Sequence, residues 1–372
     1  MEEPDRDSDR SHLLALLRAP ATPRTLLRVV SALGSCAAVF HASRGDLAST
    51  GASSELRAYL HAPDWRGVER DMHWLRQNGN ALVGFESREY PDLLREIPDP
   101  PLALYVRGDP AALRDIQLAI IGSRTPTVDG RRLAREFAAD AVRSGLVVTS
   151  GMAVGIDGEA HSGAIGAGGR TVAVLGNGLD TVYPRRHADL ARRIAEHGAL
   201  VSEFPTDCPP LRENFPQRNR IISGLSAGVL VVEAALKSGT LITANHALEQ
   251  GREVFAVPGS VHNSRVRGCH ALIRQGAKLV EDIGDVLEEI LPMASIAAQS
   301  GSAPQRDAVQ PKALDGDSKL LLDNIGSQPV HLDFLVDTTE IPVGTAASLL
   351  SSMEISGLIE SLPGGGYVRR RI

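Results

Sequence analysis

Five short turns rich in glycine and serine follow apolar runs, and these turns are the segments best suited to holding an anion. They lie at 122–124, 150–157, 176–178, 238–240 and 258–260. Small residues let a ligand approach the backbone closely, and the N-terminus of a following helix presents aligned N–H donors to phosphate oxygens. One such turn is a weak indication, because tight strand-to-helix turns need glycine anyway. Five of them predict a phosphate-bearing ligand.

Arginines accompany these turns, and they favour a polymeric phosphate over a single nucleotide. Those expected in loops at this edge are Arg124, Arg185, Arg186, Arg212, Arg218 and Arg220. The segment 209–220 combines three arginines with one acid and one aromatic ring, Phe215. An elongated basic strip with a ring suits single-stranded nucleic acid, which needs charge neutralisation and base stacking. The alternative is pairing with a nearby carboxylate, which we expect for Arg218 or Arg220. Such carboxylates are Asp157, Glu203, Glu213 and Glu233.

No catalytic or metal-binding constellation accompanies these residues. Cys36, Cys208 and Cys269 are scattered, without a CxxC pair that would indicate a thiolate zinc site or a disulfide framework. No HExxH pair occurs, and Asp157 and His161 are one helical turn apart, where a simple hydrogen bond between them is expected. The GxGxxG and GxxxxGK[ST] fingerprints are absent, which disfavours a nicotinamide dehydrogenase and a P-loop ATPase. We expect no cofactor and no metal.

Composition indicates an ordinary globular protein of two or three domains. The chain has 372 residues, of which 43% are hydrophobic, 23% charged and only 4% aromatic. Its formal net charge of −6 does not by itself indicate a nucleic-acid binder, but local basic patches can be hidden in such a balance. The first ten residues are too charged for a signal peptide, and no apolar run approaches the length of a membrane span. A cytoplasmic protein is expected.

Residues 81–293 show the pattern of a doubly wound, mostly parallel α/β sheet. Continuous apolar runs bounded by glycine predict buried strands near 118–121, 146–149, 171–175, 228–232 and 253–257. Amphipathic stretches predict helices over 131–143, 158–167, 187–197 and 240–250. Gly145, Gly198 and Gly251 follow three of these helices, where left-handed caps are expected. Repeated units of this length predict a Rossmann-like core.

Two smaller domains flank this core. Residues 1–80 predict a small helical domain, with a helix start at Thr22-Pro23 and a stop at Gly34. It faintly resembles helix-hairpin-helix and SAM-like modules, and a packing module is an equal alternative. Residues 294–313 are polar, small and proline-containing, which is typical of a linker. Residues 314–372 predict three helices and a β-hairpin, the pattern of a winged-helix domain.

Several ordered motifs between about 100 and 290 resemble the DNA-processing protein A family (DprA, also called Smf). They are IGSR (121–124), SGMAVGIDGEAHSGAI (150–165), VLGNGLDTVYPRRH (174–187), FPQRNRIISGLS (215–226), EAALKSGTLITANHALEQGREVFAVPGS (233–260) and GCHALIRQGAKLV (268–280). The resemblance implies a homodimeric protein of natural transformation that is not an enzyme. Such a protein binds and protects incoming single-stranded DNA and loads the RecA recombinase onto it.

The same motifs, read residue by residue, imply the site. The expected DNA-binding residues are Gly122, Ser123, Arg124, Ser150, Gly151, Arg185, Arg212, Phe215, Asn219, Arg220, Ser238, Gly239 and Thr240. The expected dimer-interface residues are His270, Leu272, Ile273 and Leu279. Positions 185 and 212 are often lysine in the family, and arginine keeps the charge with a different geometry.

Two alternative functions remain open from the sequence. Enzymes that cleave a nucleoside monophosphate share a related sheet and carry a PGGxGTxxE motif, but the stretch after Gly239-Thr240 lacks the glutamate. A sequence-specific repressor would act through the winged helix. The predicted third helix of that domain, 344–354, contains no lysine or arginine, and residues 314–372 carry 4 − 8 = −4 charges. This composition favours a protein-interaction module over a reader of duplex DNA.

Overall fold

The structure is a computed structural model that describes residues 8–290, 316–325, 330–339, 341–355, 359–362 and 366–369. Its described residues form two compact units, one up to 290 and the other from 316 onward. The predicted linker 294–313 lies outside the described residues. The limits of the helical domain and of the core stay predictions, because both segments lie within the first unit.

Six short helices open the first unit. They are α1 (Asp9–Leu17), α2 (Pro23–Leu33), α3 (Cys36–His41), α4 (Arg44–Ser49), α5 (Ser54–His61) and α6 (Trp65–Leu75). The predicted second helix begins as expected, since the Thr22 side chain accepts from Thr25 N and Pro23 occupies the first turn. It ends at Gly34, whose φ of 93° is the left-handed cap. Leu16, Val29, Val39 and Leu56 form the core of this helical segment.

A nine-stranded sheet forms the centre of the first unit. Its strands are β1 (Asn80–Gly84), β2 (Ala103–Gly108), β3 (Gln117–Ile121), β4 (Val147–Ser150), β5 (Thr171–Val174), β6 (Ala199–Ser202), β7 (Gly228–Val231), β8 (Glu253–Ala256) and β9 (Lys278–Leu279). They are ordered β1-β2-β6-β5-β4-β3-β7-β8-β9. From β6 to β9 all neighbours are parallel, whereas β2 and β1 extend the sheet in antiparallel fashion beside β6. The predicted mostly parallel α/β core is confirmed.

Helices cover both faces of this sheet. They are α7 (Asp92–Arg95), α8 (Val128–Arg143), α9 (Ile156–Gly166), α10 (Ala188–His197), α11 (Asn214–Leu225), α12 (Thr240–Glu249), α13 (Arg267–Arg274) and α14 (283–290). On one face, Leu118 and Ile120 of β3 share an apolar cluster with Phe137 of α8. On the other face, Ile121 packs in a cluster with Ile222 of α11. The alternation of these side chains encloses β3 between two helical layers.

Two of the three predicted glycine caps have the expected conformation, and one does not. Gly145 and Gly251 have φ values of 84° and 67°, as left-handed caps require. Gly198 has a φ of 177°, which is extended backbone, so its prediction was wrong. A Cβ there would lie 2.1 Å from the Thr171 carbonyl oxygen. This glycine is needed because β5 passes close to the end of α10.

The second unit has the predicted winged-helix elements. They are α15 (Gly316–Asp323), β10 (Val330–His331), α16 (Leu332–Thr339), α17 (Val343–Ile355), β11 (Ile359–Leu362) and β12 (Gly366–Arg369). The three strands form an antiparallel sheet in the order β10-β12-β11. Leu321, Leu335 and Leu350 are buried in its core. Most of the predicted turn 363–366 lies outside the described residues. None of the described helices, here or in the first unit, is long and apolar enough to span a bilayer.

Candidate nucleic-acid interface

A cleft of about 840 Å³ lies where the parallel strands β3 and β7 end, and it collects most of the predicted site. Ligands of doubly wound sheets bind outside the carboxyl ends of the strands, as this position requires. The predicted residues that line the cleft are Gly122, Ser123, Arg124, Arg212, Phe215, Asn219, Ser238, Gly239 and Thr240. Four other lining residues were not among the expected DNA contacts: Asp157, Tyr183, Arg218 and Lys237.

The floor of the cleft is built on Arg218 of α11. Its Nη1 donates to the Gly151 carbonyl at 2.6 Å and also to the Val174 carbonyl. Burial lowers the pKa of Arg218 to about 10, and the nearby Asp157 carboxylate opposes that shift. The guanidinium therefore remains charged at neutral pH. It serves as a structural cation that holds the ends of β4 and β5, where carbonyls would otherwise lack donors.

Asp157 holds the other side of the same loop. Its Oδ2 accepts from the backbone N–H of Gly151 and of Ala153, each at 3.2 Å. Burial raises the pKa of Asp157, an effect that the Arg218 charge opposes. A Cβ on Gly151 would lie 2.8 Å from Asp157 Oδ2, so only glycine fits here. The expected bond between Asp157 and His161 is absent, because His161 Nδ1 lies 2.7 Å from Thr171 Oγ1.

The Gly122–Arg124 turn is held by its neighbours through the backbone. Ile156 N donates to the Ser123 carbonyl at 3.1 Å, and Thr240 Oγ1 donates to the Gly122 carbonyl at 3.1 Å. Gly155 has a φ of 86°, and a Cβ there would lie 2.3 Å from the Ser123 carbonyl oxygen. The tight approach of the two turns fixes the backbone from which the Arg124 side chain extends.

Exposed cations surround the cleft. Arg124, Arg212 and Lys237 line it, are exposed, and have no acidic partner among the described residues. Arg185 and Arg186 are also exposed and lie in one turn of 3-10 helix just after Tyr183. Of the residues that line this cleft, only Asp157 carries a carboxylate. The arrangement concentrates positive charge where a polyanion can reach it.

An aromatic pair lies at the same cleft. The ring centroids of Tyr183 and Phe215 are 5.7 Å apart at an interplanar angle of 46°. Phe215 packs on Gly176, where a Cβ would lie 3.0 Å from its ring. The Tyr183 ring is 47% exposed. Rings beside unpaired cations suit unstacked bases attached to a phosphate backbone.

Three predicted DNA contacts lie below the surface instead. Ser150 is fully buried and donates to the Ile120 carbonyl at 2.6 Å, and Gly151 is buried against Arg218. Arg220 is 6% exposed and forms an ion pair with Glu203, with Asp99 at 3.4 Å. The expectation that Arg218 or Arg220 pairs with an acid is met by Arg220. We therefore leave Ser150, Gly151 and Arg220 out of the proposed ligand contacts.

The predicted dimer residues do not share one surface in the single chain. Leu279 lies on β9, the last strand of the sheet, and is 43% exposed. His270 is partly exposed, with its Nε2 3.0 Å from the Gly259 carbonyl. Leu272 is only 3% exposed, and Ile273 packs against the same core cluster. Leu272 therefore stabilises the fold, and Leu279 is the member best placed for a partner.

Among the described residues, no group of three or more His, Cys, Asp or Glu side chains could hold a metal ion.

The sequence did not predict Lys237 as a site residue, although it lies in the KSGT segment beside a predicted turn. Arg218 was assigned to a loop, whereas it lies on α11. Pro216, in the first turn of that helix, was the available signal for a helix start.

The fold and the cleft define a class of protein: a Rossmann-like sheet whose carboxyl edge carries exposed cations and aromatic rings. Family models identify the member of that class. Residues 81–291 match the model of DNA recombination-mediator protein A, and residues 304–365 match that of the DprA winged helix domain. The chain belongs to the DNA-processing protein A family, so the resemblance found in the sequence is confirmed.

Individual relatives agree with this family. Protein Smf of Escherichia coli (strain K12) is 45% identical over 315 residues, which cover 82% of each chain. The DNA processing protein DprA of Bacillus subtilis (strain 168) is 44% identical over 216 residues, 58% of this chain and 73% of that one. The crystal structure of DprA from Streptococcus pneumoniae superposes with a TM-score of 0.69 at 33% identity, covering 76% of this chain and 98% of that chain.

A second similar structure is that of a relative studied for its DNA binding. It addresses the single-stranded DNA binding mode of DNA processing protein A from Helicobacter pylori. This chain is 29% identical to it with a TM-score of 0.52, over 57% of this chain and 96% of that chain.

We expect Arg220→Met to destabilise the fold, because it leaves the Glu203 carboxylate buried without its cation. Breaking a buried pair costs about 3–5 kcal/mol of unfolding free energy. Burial raises the pKa of Glu203 from 4.5 to about 7. The folded state therefore binds this proton more tightly than the unfolded state, and the stability that protonation confers is lost as the pH rises towards 7.

The loss of unfolding free energy in Arg220→Met should accordingly be larger at about pH 8 than at about pH 5.5, where Glu203 accepts a proton. Urea denaturation at both pH values measures it. Arg212→Met is the control and should change the unfolding free energy by less than about 0.5 kcal/mol, since Arg212 is exposed. A loss of equal size at both pH values would contradict this account of the pair.

Proposed function

We propose that the cleft binds single-stranded DNA with little sequence preference. The observation that carries the proposal is the combination of three exposed cations, Arg124, Arg212 and Lys237, with the ring pair Tyr183 and Phe215. Cations without acidic partners neutralise phosphates, and accessible rings stack on bases that a duplex would keep paired. The single-stranded DNA bound by the Helicobacter pylori relative supports the same assignment.

The enzyme alternative has less support. Glu233 follows β7 near the Gly239-Thr240 turn, but it does not line the cleft and instead accepts from Thr127 N at 3.0 Å. The Asp157 carboxylate is engaged with backbone N–H groups. We propose that the chain binds DNA without cleaving nucleotides. Release of a free base from a nucleoside monophosphate would contradict this assignment.

The repressor alternative depends on the winged helix. Its α17, Val343–Ile355, has no basic residue along its length, so duplex phosphates would find no cation on this helix. We propose that this unit contacts a protein instead. Phe334 on α16 is 58% exposed and provides an apolar contact for such a partner.

Arg124→Gln should weaken binding to single-stranded DNA by about tenfold at low salt, since a charge-assisted hydrogen bond contributes about 1.5 kcal/mol. For about three to five phosphate contacts, the wild-type log–log salt slope should be about −2 to −3.5. Fluorescence anisotropy across salt concentrations measures both. The matched control is Arg114→Gln, which removes an exposed arginine before β3, at its opposite end, and should have no effect. Binding unaffected by salt would refute the proposal, and tight sequence-specific duplex binding would favour the repressor.

We further propose that the protein is a homodimer that associates through the 268–280 segment, as the family resemblance implies. The position of β9 at the end of the sheet, among the described residues, and the exposed Leu279 support this surface. Leu279→Glu should give a folded monomer in light scattering and weaken DNA binding through lost bivalency. Ile116→Glu is the control, because Ile116 is similarly exposed at 40% but precedes β3, a strand in the middle of the sheet and two strands removed from β9. A dimer that survives Leu279→Glu would place the interface elsewhere.

We propose finally that the protein acts in the cytoplasm during natural transformation, where it protects incoming DNA and loads RecA onto it. The recombination-mediator description of the matching family supports this role. The protein should speed the growth of RecA filaments on DNA precoated with single-stranded DNA-binding protein, as followed by RecA ATP hydrolysis. Arg124→Gln should lose this stimulation in proportion to its weakened DNA binding. Unchanged filament growth with intact DNA binding would contradict the loading role.

A further inference from the structure

The loop 204–213, which joins β6 to α11 and carries Arg212, is attached to the N-terminal helices. Thr206 donates to Asp71 Oδ1 twice, from Oγ1 at 2.7 Å and from its backbone N at 3.2 Å. Asp207 accepts from Arg18 Nη2 at 2.9 Å and from Arg70 Nη2 at 2.6 Å. Two consecutive residues of this cleft loop are therefore bonded to the segment α1–α6.

Arg18, Asp71 and Asp207 form a compact unit, here called the Arg18 cluster. Arg18 donates from Nε and Nη2 to the two Asp71 oxygens, each at 2.8 Å, and Tyr105 OH donates to Asp71 Oδ2 at 2.9 Å. The side chains of Arg18 and Asp71 are 7% and 0% exposed, whereas Asp207 is 35% exposed. A bidentate, buried pair fixes geometry as well as charge, so Arg18 is a rigid attachment point for Asp207.

Two glycines show how closely the chain is fitted around this attachment. A Cβ on Gly67 of α6 would lie 2.2 Å from Asp64 Oδ2 and 2.3 Å from Arg18 Nη1, so this glycine leaves room for the contact between these two side chains. On the other side of the loop, a Cβ on Gly178 would lie 2.1 Å from the Pro205 and Thr206 carbonyl oxygens. Gly178 N also donates to the Cys208 carbonyl at 2.9 Å. The first half of the loop is thus held from both sides, five residues before Arg212.

We propose that the Arg18 cluster positions the loop 204–213 for DNA binding, so that Arg212 meets the strand in the cleft. The inference rests on the proposed binding of single-stranded DNA and deepens it. The N-terminal helices then belong to the interface, although they do not contact the ligand themselves. Asp71 and Asp207 are positioning residues in this scheme, and Arg212 is the contact that they serve.

The direction in which one substitution changes the DNA affinity distinguishes positioning of the loop from simple electrostatics. Asp207 is an acid near a site for a polyanion, so its neutralisation should tighten DNA binding if charge alone matters. If the cluster positions the loop, Asp207→Asn should weaken binding instead, by up to about tenfold, the effect of losing one charged contact. The salt slope should become shallower by about 0.7, the contribution of one phosphate contact to single strands.

The experiment is a double-mutant cycle in the full chain with a single-stranded oligonucleotide, measured by anisotropy across salt concentrations. The variants are Asp207→Asn, Arg212→Gln and their combination, and we expect the double variant to bind like Arg212→Gln alone. Asp64→Asn is the matched control: Asp64 also contacts Arg18, at 3.3 Å, but has no bond to the loop. The amide protons of 204–213 should exchange faster in Asp207→Asn than in Asp64→Asn.

Gly67→Ala tests the same idea without any change of charge. Its Cβ would clash with both Asp64 and Arg18 and so disturb the Arg18 cluster, and DNA binding should weaken although the net charge stays at −6. Asp207→Asn binding as tightly as Asp64→Asn, or additive effects of Asp207→Asn and Arg212→Gln, would overturn the inference. So would an Arg212→Gln variant that binds like wild type. Only a wild-type protein without salt-dependent binding would overturn the proposed function as well.

Discussion

The buried guanidinium of Arg218 is the interaction on which the rest of the site depends. Parallel strands end with carbonyls that point out of the sheet, and these groups need donors when loops cover them. Arg218 supplies donors to Gly151 and Val174, while Asp157 accepts from the N–H groups of the same loop. The polar backbone at the centre of the edge is therefore satisfied internally. The cations of the surface, such as Arg124 and Lys237, remain available for a ligand.

The sequence predicted that Arg218 or Arg220 pairs with an acid, but it could not predict that both arginines are buried. Arg218 bonds carbonyls beneath the cleft, and Arg220 pairs with Glu203. The two arginines are two residues apart on α11, so they point in different directions from the helix. What each of them contacts is decided by tertiary packing. Turn glycines, in contrast, have a backbone requirement that is local in sequence, and Gly122 and Gly239 of the predicted turns line the cleft.

The same contrast holds for the fold. The five strands that the sequence predicted, β3, β4, β5, β7 and β8, are continuous apolar runs, and that pattern is typical of strands buried on both faces. The strands β1, β2, β6 and β9 were not predicted. Four of the six β2 residues are buried, whereas β1 is mostly half-buried and ends the described sheet beside β2. Edge strands carry mixed patterns, because one side of their environment is made by elements distant in sequence.

That antiparallel extension explains why the N-terminal helices contact the loop 204–213. β2 pairs with β6, and Tyr105 of β2 donates directly to Asp71 of α6. β6 in turn leads into the loop that carries Thr206 and Asp207. The buried Asp71 carboxylate therefore joins a helix, a strand and a cleft loop, and a shift of the strand or of the loop would break a buried hydrogen bond to it. A segment that supplies no lining residue to the cleft is in this way coupled to the geometry of Arg212.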